Sequence, residues 1–152
     1  MAQTKEKRET TEEFFFGEIY KNTKMGADAI INLLPHIKND ALRSVVTMQL
    51  DGYEKYAARA AEALRERGME PKEENLFARV SARMGIAFNT MIDSTASHVA
   101  EMMIEGSNMG ITDMTKLLNE HEPKGSSPEA TRLAREIVAF EEHNLEMLKR
   151  YL

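Results

Sequence analysis

Residues 40–67 read DALRSVVTMQLDGYEKYAARAAEALRER, and Gly68 follows. Leu42, Val46, Gln49, Tyr53, Ala57, Ala60 and Leu64 recur at steps of three and four, which puts them on one face of a helix. Arg65 and Arg67 in the last turn suit the helix dipole, and Gly68 suits the left-handed residue that closes a helix. Asn39 or Asp40 can cap its start. Upstream, Pro35 ends an earlier helix because the residue before proline is pushed out of the α region. That first helix opens on Thr10 and Glu13, the spacing of a capping box. Its stripe is Phe15, Ile19, Asn22/Thr23, Gly26, Ile30 and Leu33.

Downstream, a third helix is expected from near Pro71, with the stripe Phe77, Val80, Met84, Phe88, Met91, Thr95, His98 and Met102. Gly106-Ser107-Asn108-Met109-Gly110 should break or kink it, leaving Ile111 to Glu120 as a short further helix. HEPKGSS, residues 121–127, is a loop, and Ser127-Pro128-Glu129 is a helix start with cap, proline and first-turn acid. The last helix carries Leu133, Ile137, Phe140, Asn144, Met147/Leu148 and Tyr151. Short turns at Pro35–Asn39 and Gly68–Glu70 should make consecutive helices antiparallel. The expected fold is therefore all-α, an antiparallel four-helix bundle in one domain, residues 1–152. Residues 1–10 would form a flexible N-terminus, and residues 106–127 an irregular or short-helical connection between helices 3 and 4.

Composition removes whole classes of function. The 152 residues include 20 Lys+Arg, 25 Asp+Glu and no Cys, which excludes disulfides, thiolate metal sites and cysteine nucleophiles. A net charge of −5 with no basic stripe argues against nucleic acid. No stretch approaches the ~18–20 uninterrupted apolar residues of a membrane helix, and no secretory leader stands at the start. A cytoplasmic protein is the expectation. Phosphate-binding glycine loops, nucleophile elbows and triad-like arrangements are missing too, so hydrolytic and nucleotide chemistry lack support.

Between Met84 and Ile104 only Asp93 and Glu101 carry full charges, whereas the second and fourth helices are densely charged. A helix low in charge all round needs cover on several sides. We expect a homo-oligomer whose interface includes helix 3 from Met84 to Ile104, with another protein as an alternative partner. Phe14-Phe15-Phe16 places an aromatic on almost every side of the first helix, so at least one is exposed or at a contact.

Polar residues on the seams are the candidate chemistry. Gln49, Tyr53, Thr95 and Asn144 fall at or near core positions, where they serve most simply as a hydrogen-bonded layer setting helix register. A metal site is the rival. Di-iron bundles use one Glu from each of two helices and a Glu-x-x-His from each of the others, and none of the four histidines has Glu three residues before it. The reversed spacing occurs at His98-Val-Ala-Glu101 and His143-Asn-Leu-Glu146. Candidate ligands are thus His98, Glu101, His143 and Glu54, with His36 as an alternative, for iron, manganese or zinc. The 11 methionines read as adaptable core fillers rather than copper or haem ligands.

In the runs Tyr20–Ile30, Gln49–Tyr53 and Ser97–Ser107, and in helix number and length, the chain resembles the ferritin-like four-helix bundles. The likeness is to a small, functionally uncharacterised bacterial branch without the Glu-x-x-His motifs. Glu141-Glu-His-Asn144 comes nearest, with asparagine where the ligating histidine would stand. The resemblance implies a bundle that has lost its oxidative metal centre and needs no cofactor. A non-catalytic bundle acting through self-association or protein binding is expected first, and a metal storage or redox protein second.

Overall fold

The computed structural model describes residues 10–72, 93–125 and 127–152. Helix α1 spans Thr11–Leu33, a 3-10 turn Leu34–His36 follows, and α2 spans Asp40–Glu66. Helix α3 spans Ala96–His121, a second 3-10 turn Glu122–Lys124 follows, and α4 spans Pro128–Lys149. Among the described residues there is no strand.

Local chemistry sets the helix ends. The Thr10 hydroxyl accepts from the Glu13 amide at 3.1 Å while the Glu13 carboxylate accepts from the Thr10 amide at 2.9 Å. Asn39 caps α2 through the Leu42 amide at 2.9 Å, and Ser127 caps α4 through the Ala130 amide at 3.1 Å. Each such cap satisfies a donor that the helix leaves unpaired. Gly68, at φ 74°, takes the left-handed conformation that ends α2.

Two apolar clusters hold the bundle and define its directions. One gathers Phe15, Phe16 and Ile19 of α1, Ala57–Leu64 of α2, Met114 and Leu118 of α3, and Leu133 and Ile137 of α4. The other gathers Ile30 and Leu33, Leu42 and Val46, Val99 and Met102, and Leu148. Hence α1 and α4 run one way, and α2 and α3 the other. The closest pairs are α1 with α2 and α3 with α4, while α1 also packs on α3 and α2 on α4. Each of these four pairs is antiparallel, as expected for this bundle.

The route of the chain corrects two expectations. The helix expected straight after the Gly68–Glu70 turn lies mostly outside the described residues, and α3, the next helix described, is parallel to α2. The Gly106–Gly110 run does not break α3, which continues to His121, so the connection between α3 and α4 is only residues 122–127. Glycine inside a helix costs about 1 kcal/mol, which burial of Ser107 and Gly110 can offset. Thr95 is the second correction: it is exposed and caps α3 through the His98 amide at 3.3 Å rather than sitting in the core. The expected stretch from Phe77 to Met91 lies outside the described residues.

The phenylalanine triplet divides as helix geometry requires. Phe15 and Phe16 are fully buried, and Phe14 keeps 39% of its surface exposed. Phe15→Ala should therefore lower stability by about 3–5 kcal/mol in urea unfolding, and Phe14→Ala by less than about 1.5 kcal/mol. Equal losses would show that α1 is rotated from this placement.

Candidate functional site

Between the two apolar clusters the bundle turns polar. Tyr53 of α2 and Glu141 of α4 are 5% and 2% exposed, and the Tyr53 hydroxyl donates to Glu141 Oε1 at 3.0 Å. Beside them, Gln49 Nε2 donates to the Asn144 carbonyl at 3.4 Å. Thr23 satisfies its hydroxyl on its own helix, donating to the carbonyls of Ile19 and Tyr20. From α1 to α3, Asn22 Nδ2 donates to the Gly110 carbonyl at 3.2 Å. Side chains of all four helices thus meet in one layer.

Glycines make the space for it. A Cβ on Gly26 would come within 2.6 Å of the Tyr53 ring, and one on Gly110 would collide with the Glu141 carboxyl group. Phe140 packs edge-on against Tyr53 at 5.0 Å between ring centroids, and its own ring lies over Gly52. The phenol is clamped on three sides.

Burial governs the electrostatics. It pushes the Glu141 carboxyl up to about 8, Tyr53 opposes the rise by hydrogen bonding, and Asp113 adds to it by like charge. Glu141 is therefore neutral at pH 7. Burial also raises the Tyr53 phenol well above its ordinary range, Glu141 adds to that, and Ser107 and Asn144 oppose it. Near neutrality the acid mostly holds its proton, and the phenol is harder still to ionise.

Gln49, Tyr53 and Asn144 lie in this layer, as placed by their stripes; Thr95 does not. The metal candidates are scattered. Glu54, Glu101 and His143 are exposed, and His36 and His98 are half-buried near the other end of the bundle. Among the described residues no three His, Cys, Asp or Glu side chains gather in a metal-binding group. The centre itself offers one acid, Glu141, with Asn144 three residues on and Gln49 opposite. A dinuclear site needs four acids and two imidazoles, so these residues do not fit one.

Glu141, Ser107 and Gly110 are the members that the helical stripes do not contain. A signal existed: Ile137, Glu141, Asn144 and Leu148 follow steps of four, three and four. The neighbouring Phe140 competes for the same stripe, and it is half-buried.

Two consequences are testable. The folded acid keeps its proton up to about pH 8, while the unfolded one releases it near the ordinary value of 4.5. Its contribution is greatest below the unfolded value and is lost as pH rises through the folded one, at up to about 1.4 kcal/mol per pH unit. Glu141→Gln should flatten this decline in urea midpoints taken between about pH 5 and pH 9, and an unchanged slope would place the acid in water. Glycine substitutions separate helix propensity from packing. Gly106→Ala, with open space around its Cβ, should stabilise by about 0.5–1 kcal/mol, whereas Gly26→Ala should destabilise against the Tyr53 ring.

No protein-family model matches the chain, and no curated protein sequence matches it. Among solved structures it is similar to one described as "YcfI, a putative structural protein from Rhodopseudomonas palustris", with TM-score 0.69 and 15% sequence identity. The match covers 97% of this chain and 98% of the other. At that identity the likeness establishes a shared all-helical bundle fold.

Proposed function

We propose that this chain is a non-catalytic helical bundle of the ferritin-like class, acting in the cytoplasm through self-association or protein binding. The observation that carries the reading is the bundle's centre, where a buried Tyr53–Glu141 pair sits against glycines of the facing helices. Metal chemistry in such bundles needs charged ligands projecting inward, and among the described residues one uncharged acid stands in their place. The parallel directions of α2 and α3, each in an antiparallel pair with a neighbour, support the class, whose two hairpins are arranged that way. The structural role named for YcfI, carried over to this chain, agrees with the reading.

What remains for function is the surface. Phe14, Ile31 and Met48 are exposed apolar side chains, and the described part of the expected interface helix shows Met103 and Ile104 half-covered. Obligate self-association would complete that cover.

Light scattering after size exclusion should give a mass that is a multiple of the 17.3 kDa chain. A monomer throughout the concentration series would reject self-association through helix 3. Metal analysis of protein purified without chelator addresses the storage or redox alternative. Far less than one ion per chain is the expected result, and stoichiometric iron, manganese or zinc would favour the alternative.

A further inference from the structure

Helices α2 and α4 are densely charged, yet the groove between them is not. Val45 and Met48 of α2 and Phe140 and Met147 of α4 line an open hollow of about 150 Å³. Among the described residues that line it there is no Asp, Glu, Lys or Arg. Met48 stands at its edge with 71% of its surface exposed, more than any other large apolar side chain described. A projecting apolar side chain thus adjoins an unfilled apolar hollow.

Three contacts fix the register of α2 against α4. Gln49 donates to the Asn144 carbonyl, Tyr53 to Glu141, and Arg59 to Glu136 at 2.6 Å. The helices are antiparallel and rise equally per residue, so Met48 stands level with Met147 and the exposed Glu62 level with the exposed Arg132. Opposite charges therefore meet across the groove at two successive levels, Arg59 with Glu136 and Glu62 with Arg132. Between these levels and Met48, Lys55 is held by Asp51 of its own helix at 3.0 Å. An uncharged floor within a charged rim is the plan of a protein–protein interface.

A face that binds its own copy about a two-fold axis must be complementary to itself. An axis running along this groove sets α2 of one copy against α4 of the other at the same level. The charge pattern across the groove is then repeated between the copies: Arg59 faces the partner's Glu136, and Glu62 the partner's Arg132. Met48 meets the partner's Met147, at the partner's hollow. We propose that the α2–α4 face is a homodimer interface, seated on a second copy of this chain about that axis. The methionines fill the two hollows, and the charged rims close over them. The proposal deepens the self-association reading and rests on it, but it uses a face to which helix 3 does not contribute.

The test is sedimentation of the full chain across a concentration series. The wild-type protein should approach twice the 17.3 kDa chain mass. Met48→Glu should raise the dimer Kd by at least ~30-fold, with helical circular dichroism unchanged because the site is exposed. Arg59→Glu and Glu136→Arg each set like charges across the contact and should each raise Kd by ~3–10-fold. An equimolar mixture of these two variants should regain the wild-type Kd within ~2-fold, since in the mixed dimer each altered side chain meets one of opposite charge. The pair inside each chain stays broken on mixing, so a purely intrachain role gives no recovery. A mixture no tighter than its components overturns the two-fold arrangement. Met48→Glu associating as tightly as wild type overturns this face while leaving self-association through another surface in place. A wild-type chain that stays monomeric overturns both.

Discussion

A carboxyl group enclosed in the middle of a helical bundle can stay there only if it is uncharged or paired with a cation. Among the described residues no cation pairs with Glu141; its hydrogen-bond partner is the phenol of Tyr53, and burial holds it mostly neutral instead. Much of the surrounding architecture follows from that choice. The phenol needs room beside α1, which Gly26 supplies, and the carboxyl needs room beside α3, which Gly110 supplies. Phe140 then fixes the phenol's tilt from the fourth helix. A neutral pair of this kind stabilises weakly compared with the apolar clusters above and below it, but it is directional. It admits few relative positions of α2 and α4, where apolar packing would tolerate several.

The two clusters supply most of the driving force and the polar layer supplies the registration. Burial of Phe15, Phe16, Ile19, Ile137 and their neighbours at one end, and of Ile37, Leu42, Val46, Val99 and Leu148 at the other, is enough to bring four amphipathic helices together. Arg67 ties that first end: its guanidinium bonds Glu12 of α1 and Glu129 of α4 and lies 4.6 Å from the Phe16 ring centroid. These half-exposed ion pairs add little energy. Their geometry nevertheless joins three helix termini, which apolar packing alone does not distinguish.

The same small residues that make room at the centre also leave the α1–α3 seam less filled than the hairpins. Gly26 is pressed against Tyr53, but Gly106, one turn from Gly110 on α3, faces empty space. One glycine is required by what lies opposite it and the other is not, although both occupy helix interiors. Such a pair differs only in long-range context.

The capped helix starts and the amphipathic faces could be read from the chain alone, because each depends on residues three or four apart. Thr10 with Glu13, Asn39 with Leu42, and Ser127 with Ala130 make their bonds wherever the rest of the molecule goes. Gln49, Tyr53 and Asn144 could be assigned inward for the same reason. Only the tertiary structure decided that α3 passes through Gly106–Gly110, that Thr95 is a cap, and that α2 and α3 are parallel. It alone showed that Glu141 rather than a histidine occupies the centre. Those outcomes rest on contacts between residues far apart in the chain, such as Tyr53 with Glu141 and Asn22 with Gly110. A glycine's helix penalty or an acid's burial cost is overturned only when such a distant partner arrives, and local periodicity carries no record of that partner.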